Sequence, residues 1–215
     1  MLLVGKAVGE STLYTFTNAG LPVRGVVHVG ANVGQEMGWY LANRLLPILC
    51  FEPVPLAYDD LVATWGGYSD DVEFVNCALG EEDGTLTLQV PVDLDTQRVS
   101  RYNPLHLAGH EWTDIPMGKS IEVPVYRFDS WVRKQDLYLP PYNALSIDTQ
   151  GMEMEVLRGF GDLLDGFDYL CVEMSAKPVY DGEVPAGEVI AWLEERGFKR
   201  ETPIEEHDDV LFRRR

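Results

Sequence analysis

The sequence predicts a single α/β domain built on a mostly parallel sheet. Three observations favour this fold class. Short buried strands alternate with amphipathic helices from residue 24 to residue 79, and the alternation resumes from residue 129 to residue 196. In addition, 46% of the 215 residues are hydrophobic, which is enough for one sizeable core. We find no internal repeat and no linker composition, so one domain over residues 1–215 is expected.

The first half of the chain has a β-α-β-α-β pattern. "GVVHVG", "PILCFEP" and "DVEFVNCAL" predict three strands, and "QEMGWYLANRLL" and "LAYDDLVATW" predict the helices between them. This order implies parallel strands with right-handed crossovers. Ahead of it, "STLYTFTNAG" predicts a short helix, so residues 1–23 form a predicted N-terminal helical extension.

The middle of the chain breaks this pattern. "GTLTLQV" and "SIEVPVYR" alternate in hydrophobicity, which predicts two half-exposed antiparallel strands. The polar and aromatic stretch that joins them, residues 91–120, is too long for an idle connection. We expect an insertion that serves as a lid or substrate-facing loop, and a plain surface insertion is the alternative.

The α/β pattern then returns. "DSWVRKQ" predicts a helix with Asp129 as its N-cap, and "MEMEVLRGF" predicts a helix that Gly159 ends. "YNALSID" and "FDYLCVEMS" predict strands, and "PAGEVIAWLEERG" predicts a helix that starts at Pro185. "FKRETPI" and "DVLFRRR" can pair as a closing hairpin.

Composition limits the partners. The formal net charge of −18 repels phosphate backbones, so nucleic acid is not expected as a partner. Cys50, Cys77 and Cys171 lie in or beside apolar runs and predict buried free thiols in a reducing compartment. We see neither a secretory signal pattern nor an apolar run of membrane-spanning length, so a cytoplasmic protein is expected. A homo-oligomer is compatible with the sequence.

A glycine turn follows the first strand. Gly30 and Gly34 in "GANVG" allow a tight turn into a helix whose N-terminal N–H groups can face a ligand. The spacing lacks the central glycine of a dinucleotide loop, which suits a nucleoside without pyrophosphate. Glu52 ends the second strand about twenty residues further on, where its carboxylate can accept hydrogen bonds from ribose hydroxyls. The alternative is a structural turn and a solvated glutamate.

A third candidate point follows the third predicted strand. Asn76, Cys77 and Ala78 can flank a purine ring, and the alternative is that Cys77 and Ala78 merely pack in the core.

Seven runs resemble the FkbM-type methyltransferases in order and spacing. They are "VVHVGANVGQE", "CFEPVP", "VNCALGEEDGTLTLQVP", "IEVPVYRFDSW", "LSIDTQGMEMEVLRG", "VEMSAKPVYDG" and "GF…DDVLF". The most specific, "IDTQGMEMEVLRG", is similar to the family's "IDVEGAE-x-x-VL-x-G". The resemblance covers roughly residues 24 to 213. It implies the class I Rossmann-like methyltransferase fold, with seven strands in the order 3-2-1-4-5-7-6 and a terminal antiparallel strand.

The resemblance also implies S-adenosylmethionine (SAM) as cofactor. Carried over by position, the cofactor-binding residues would be His28, Gly30, Ala31, Asn32, Gly34, Glu52, Asn76, Cys77, Ala78 and Asp148. His28 departs from the acid common in such motifs and supplies no negative charge to a sulfonium. We therefore expect weaker or differently arranged SAM binding; the alternative is a buried strand residue with a backbone partner.

Two carboxylates mark the expected reacting end. Asp148 ends "ALSID" and Glu173 ends "YLCVE"; in the implied order these strands are neighbours, ~4.8 Å apart. One carboxylate with a raised pKa can act as the base for a substrate hydroxyl. Alternatively, the pair and loop residues can bind Mg²⁺, or Asp148 only positions SAM or the "TQG" turn.

The acceptor is expected to meet the insertion. Its candidate binding residues are Tyr102, His106, His110, Trp112 and, after the fifth strand, Lys177. His106 and His110 have the spacing of a helical metal pair, with solvated loop histidines as the alternative.

The resemblance, together with these residues, implies a SAM-dependent O-methyltransferase that acts on a hydroxyl of a small molecule or glycan. A SAM-binding but inactive interaction domain is one alternative. An NAD(P)-binding oxidoreductase is another, disfavoured by the missing central glycine and the absent Tyr-x-x-x-Lys pair.

Overall fold

The main sheet has seven strands. A computed structural model of the chain describes residues 16, 20–91, 117–180, 182–204 and 207–215. The strands are β1 (Val26–Val29), β2 (Ile48–Phe51), β3 (Val72–Val75), β7 (Ala144–Ile147), β8 (Tyr169–Ser175), β9 (Phe198–Arg200) and β10 (His207–Arg214). Their order is β3-β2-β1-β7-β8-β10-β9, and β10 is antiparallel to both of its neighbours. The predicted strand order and the closing hairpin are confirmed.

A smaller sheet carries the remaining strands, β4 (Ala78–Leu79), β5 (Gly84–Pro91) and β6 (Met117–Tyr126). β6 pairs antiparallel with β5 and parallel with β4. The predicted antiparallel pair is confirmed, and its strands reach into both ends of the expected 91–120 insertion. Residues 92–116 lie outside the described part of the chain.

The third predicted strand was wrong in its extent. "DVEFVNCAL" forms β3 only as far as Val75, and Ala78 then starts β4 in the smaller sheet. The Cys77 backbone N–H donates to the Val75 carbonyl at 3.1 Å, which bends the chain out of the main sheet at this point.

Five α-helices and one 3-10 helix connect the described strands. They are α1 (Met37–Ala42), α2 (Pro55–Trp65), α3 (Phe128–Gln135), α4 (Glu153–Phe160), the 3-10 helix Gly161–Gly166 and α5 (Ala186–Glu195). Pro55 is the first residue of α2, a position where its missing N–H costs nothing. Of the predicted N-terminal helix, the structure describes only Phe16, which is helical and buried, and Gly20, which lies in a turn.

Several helix boundaries differ from the prediction; α5, for example, begins at Ala186 with Pro185 as its N-cap. α1 is shorter than "QEMGWYLANRLL". The N-cap of α3 is Arg127, and Asp129 lies in the first turn, where it accepts hydrogen bonds from the Arg127 guanidinium. Gly159 lies inside α4, and Gly161 is the C-cap. Position 159 needs glycine because a Cβ there would meet the Gly80 carbonyl oxygen at 2.0 Å.

Both faces of the main sheet are covered. One apolar cluster joins alternate strand residues such as Val29 and Ile147 to α3, α4 and α5. The opposite cluster packs Val26 and Cys50 under α1 and α2. This double burial explains why the parallel strands are continuously apolar. All three cysteines are buried and free, as predicted. In the described residues, no helix has the length and apolar character that crossing a membrane requires.

Candidate active site

The candidate residues lie along one edge of the main sheet. Val75, Phe51, Val29, Ile147 and Val172 are paired in register across β3, β2, β1, β7 and β8. The residues that follow these five form a row that we call the edge row. Four of them come directly after the end of their strand, whereas the fifth lies inside β8, which continues to Ser175 and not, as predicted, only to Glu173. The members of the edge row, in spatial order, are Asn76, Glu52, Gly30, Asp148 and Glu173. Ligands of open α/β sheets bind at this edge.

The turn after β1 is shaped by two glycines. Gly30 has φ +84° and Gly34 has φ +81°, a region that favours glycine. A Cβ on Gly34 would come within 2.7 Å of the Trp65 indole nitrogen on α2. The backbone N–H groups of Gly30 and Ala31 both donate to the Phe51 carbonyl, so the turn folds back onto β2.

Glu52 is fixed by backbone donors. Its two carboxylate oxygens accept hydrogen bonds from the N–H groups of Asn32 (2.7 Å) and Val54 (2.8 Å). The residue is only 5% exposed. Burial raises the pKa of Glu52 to about 7, although these two hydrogen bonds oppose the rise. Each oxygen of a carboxylate has a second lone pair, so further donors such as vicinal hydroxyls can be accepted.

Asn76 ties the neighbouring strand end to Glu52. Its side-chain NH₂ donates to the backbone carbonyls of Glu52 (2.8 Å) and Pro53 (3.3 Å), so the side chain can offer a ligand only its Oδ1. Cys77 and Ala78 are buried, and their side chains lie in two apolar clusters. That position matches the alternative in which these two residues pack in the core. Ala31 is buried in a third cluster.

His28 is a core residue. It is 3% exposed, and its Nδ1 lies 3.2 Å from the Tyr40 hydroxyl, within hydrogen-bonding distance. Burial lowers the pKa of His28 to about 4, so the ring is neutral at pH 7. The unfavourable case of an imidazolium beside a sulfonium does not arise at that pH. This burial matches the alternative of a buried strand residue, but the partner of His28 is a side chain and not the backbone group that the alternative named.

Asp148 and Glu173 are brought together through Gln150. The Gln150 side-chain NH₂ donates to Asp148 Oδ1 at 2.7 Å and to Glu173 Oε2 at 2.8 Å. The Tyr180 hydroxyl donates to the other end of the same amide, Gln150 Oε1. Burial, followed by the nearby Glu173, raises the pKa of Asp148 well above its usual range. This shift makes the Asp148 carboxylate a stronger proton acceptor than an exposed aspartate.

The turn that carries Gln150 is clamped by Glu153 at the start of α4. Glu153 Oε1 accepts hydrogen bonds from the Thr149 N–H, the Thr149 hydroxyl and the Gly151 N–H, each at 3.1 Å. Burial raises the pKa of Glu153 to about 7. Gln150 itself has φ +55°, a left-handed conformation that is uncommon outside glycine.

Further acids that the sequence analysis missed lie close to the edge row. Asp209 on β10 pairs in register with Glu173. Glu36 precedes α1 and is 8% exposed. Burial, followed by repulsion from Asp148, raises the pKa of Glu36 to about 8. The acid in "GQE" follows the glycine turn directly, which was the available signal for Glu36.

The predicted acceptor residues are only partly described. Four of them lie outside the described residues: Tyr102, His106, His110 and Trp112. The predicted metal site at the two histidines therefore lies outside them as well. Lys177 is described and is exposed just beyond β8. Within residues 20–91, 117–180, 182–204 and 207–215, no group of three His, Cys, Asp or Glu side chains is arranged to hold a metal ion.

Sequence comparison identifies a family and two curated relatives. Residues 28–200 match the family described as methyltransferase FkbM domain. The 2-O-methyltransferase NoeI of Sinorhizobium fredii is 23% identical over 195 residues, which cover 87% of this chain and 78% of NoeI. The methyltransferase sdnD of Sordaria araneosa is 28% identical over 196 residues, which cover 80% of this chain and 73% of sdnD.

Among solved structures, an S-adenosylmethionine-dependent methyltransferase from Mesorhizobium loti has a similar fold. The TM-score is 0.51 at 12% identity, over 95% of this chain and 99% of that one. The similarity agrees with the class I sheet order described above.

Proposed function

The chain belongs to the FkbM methyltransferase family, and on that premise we propose that it is a SAM-dependent O-methyltransferase. Its acceptor is a hydroxyl group of a small molecule or glycan. NoeI, a relative over most of the chain, is a 2-O-methyltransferase by name, which supports oxygen as the acceptor atom. The acidic surface, with a net charge of −18, disfavours phosphate-rich acceptors.

The observation that carries the proposal is the edge row itself. Glu52 stands on one side of Gly30, and Asp148 and Glu173 stand on the other; Glu52 and Asp148 directly follow their strands, and Glu173 lies inside β8. A nucleoside can therefore be held at Glu52 while the transferred group lies toward the two carboxylates. Alignment of two reactants in this way is the main requirement of a displacement reaction.

The residues at the Glu52 end suit the adenosyl part of SAM. The Glu52 carboxylate is oriented by two backbone N–H groups and keeps lone pairs for the ribose hydroxyls. Asn76 can accept a hydrogen bond from the adenine amino group, since its own NH₂ is committed to backbone carbonyls. The turn from Gly30 to Gly34 would border the methionine part. When bound, SAM supplies an electrophilic methyl group on a positively charged sulfur.

The charge of this edge favours a cationic donor. Glu36, Glu52, Glu173 and Asp209 all interact electrostatically with Asp148 or with one another. A sulfonium placed beside these acids favours their ionised forms and is stabilised by them, whereas the thioether that remains after transfer has lost that charge. The same acids therefore bind the donor more strongly than the product, which promotes product release.

Asp148 and Glu173 would accept the proton of the acceptor hydroxyl. The acceptor oxygen gains a methyl group and must lose its hydrogen, and a carboxylate within reach can take it. Two adjacent carboxyls that interact this closely titrate as a unit and hold one proton more firmly than a lone acid. We assign the pair to proton acceptance and place the acceptor hydroxyl against it, with Lys177 and residues of the 91–120 insertion as further contacts.

Two measurements test the proposal. Calorimetry should detect binding of SAM and none of NAD; binding of NAD alone would favour the oxidoreductase. Transfer of labelled methyl from SAM is then measured across a panel of hydroxyl-bearing small molecules and glycans. Asp148→Asn should lower kcat by roughly 10²–10⁴-fold, the usual contribution of a general base.

The outcome separates the remaining alternative. SAM binding without transfer to any member of the panel would favour the inactive interaction domain. Absence of SAM binding in the folded wild type would refute the proposed function.

A further inference from the structure

The amide of Gln150 bridges two neighbouring carboxyl groups that a divalent cation could otherwise bridge. Asp148 Oδ1 and Glu173 Oε2 both face its NH₂, at 2.7 and 2.8 Å. A Mg²⁺ ion binds carboxylate oxygens at about 2.0–2.1 Å and demands near-octahedral geometry. It cannot enter this position unless the amide leaves.

The orientation of the amide follows from its surroundings. The Tyr180 hydroxyl donates to Gln150 Oε1, so the carbonyl end of the amide already has its partner. The opposite end faces carboxyl oxygens, which accept hydrogen bonds from an NH₂ but not from a carbonyl. Only this orientation of the Gln150 amide therefore gives hydrogen bonds to Tyr180, Asp148 and Glu173 at the same time.

The amide is also held firmly in place. Glu153 fixes the backbone on both sides of Gln150, at Thr149 and Gly151. Tyr180 is buried at 4% exposure, and its backbone N–H donates to Glu183 Oε2 at 3.0 Å. Glu153 holds the backbone of the turn and the buried Tyr180 holds the side chain, so the Gln150 amide has a fixed position in the site. Displacement by a cation would break both arrangements.

We propose that Gln150 is a positioning residue that substitutes for a divalent cation between Asp148 and Glu173, so that the site operates without a metal. This inference rests on the proposed function for its catalytic part. A glutamate at position 150 would add a third carboxylate, the kind of oxygen cluster that binds Mg²⁺. Gln150 has nearly the same shape as glutamate but supplies two N–H donors in place of a carboxylate oxygen.

Divalent cation binding tests the proposal without any need for methyl transfer. MgCl₂ and MnCl₂ are titrated into wild type, Gln150→Glu and Gln135→Glu, with calorimetry and thermal unfolding as readouts. Gln135 is the exposed last residue of α3, so its variant makes the same charge change away from the site. Gln150→Glu should show saturable Mn²⁺ binding and a raised Tm, and the other two proteins should show neither.

Two results would overturn the proposal. One is saturable cation binding by the wild type that Glu173→Gln abolishes. The other is a folded Gln150→Glu that binds no cation. Because these readouts are independent of activity, they remain interpretable even if the proposed O-methylation fails.

Tyr180→Phe provides a second variant if Gln150→Glu does not fold. It removes the donor to Gln150 Oε1 while it preserves the ring. We expect kcat to fall at least tenfold, with the KM for SAM unchanged and no response of the rate to EDTA or Mg²⁺. An unchanged kcat would contradict the positioning role, and a rate that requires Mg²⁺ would contradict metal independence.

Discussion

The backbone at Gly30 lies so close to Asp148 that a Cβ at position 30 would stand 1.8 Å from the Asp148 carbonyl oxygen. The Asp148 N–H in turn donates to the Val29 carbonyl at 3.0 Å. The turn after β1 and the turn after β7 are thus joined at the middle of the edge row. A change at one of them must move the other.

Gly30→Ala should therefore destabilise the protein strongly. The added methyl group overlaps backbone atoms, and φ +84° is itself unfavourable for alanine. Strain of the two kinds together should lower the free energy of unfolding by about 3 kcal/mol or more in urea denaturation. Gly67→Ala, where a Cβ meets nothing within 4 Å, is the matched control. Equal urea midpoints for the two variants would show that the close approach is not present in solution.

Glu52→Gln should weaken SAM binding. The variant keeps one carbonyl acceptor but loses the negative charge and one acceptor oxygen. Since a hydrogen bond to a charged group contributes roughly 1.5–3 kcal/mol, we expect the Kd for SAM to rise about 10- to 100-fold by calorimetry. Glu73→Gln on neighbouring β3 is exposed and should leave the Kd unchanged. An unaltered Kd in Glu52→Gln would remove Glu52 from the cofactor site.

Glu36→Gln should change how stability depends on pH. Burial, then Asp148 and Asp209 nearby, raises the pKa of Glu36 to about 8 from an unfolded value of 4.5. The raised pKa means that this group's stabilising contribution is complete below pH 4.5 and is lost as pH rises through 8. At about 1.4 kcal/mol per pKa unit, the loss amounts to a few kcal/mol.

The comparison of variant and wild type isolates this effect. Glu36→Gln should match the wild type near pH 4 and be the more stable protein near pH 8 in urea denaturation. The lowered pKa of His28 acts in the opposite direction between pH 6.5 and 4, but equally in both proteins. Glu195→Gln on the exposed surface should follow the wild type at both pH values. A constant difference across this range would mean that Glu36 is not buried.

Tyr40→Phe tests the role of His28. Removal of the hydroxyl leaves the buried Nδ1 of His28 without its Tyr40 partner, which costs about 1–3 kcal/mol of unfolding free energy. Because the His28 ring faces the core, the Kd for SAM should stay within about twofold of the wild-type value. Tyr138→Phe, at a site 73% exposed, should alter neither quantity. A large rise in Kd for Tyr40→Phe would place His28 in direct contact with the cofactor.

Much of this arrangement could be predicted from the sequence. Parallel strands joined by crossovers end at the same edge, so residues that end apolar runs, such as Glu52 and Asp148, had to lie near one another. The approach of Asp148 and Glu173 additionally needed the strand order, which came from the family resemblance. In both cases a regular element carries the residue to its position.

The parts that sequence reasoning missed depend on irregular backbone. Gln150 and Tyr180 are thirty residues apart, and their contact requires a left-handed turn at one end and a specific rotamer at the other. The burial of Glu36 follows from how α1 packs, which its position in the chain does not reveal. Gly159 had the usual signal of a helix end, yet the reason for glycine there is the passing backbone of Gly80.

The pairing of β1 with β7 makes the two halves of the chain interdependent. β1 is a four-residue strand buried along its whole length, and β7 follows it by more than a hundred residues. A fragment that ends before β7 would present β1 as an open, apolar strand margin, which is a template for self-association. During synthesis, β1 therefore stays unpaired on one side until β7 has been synthesised.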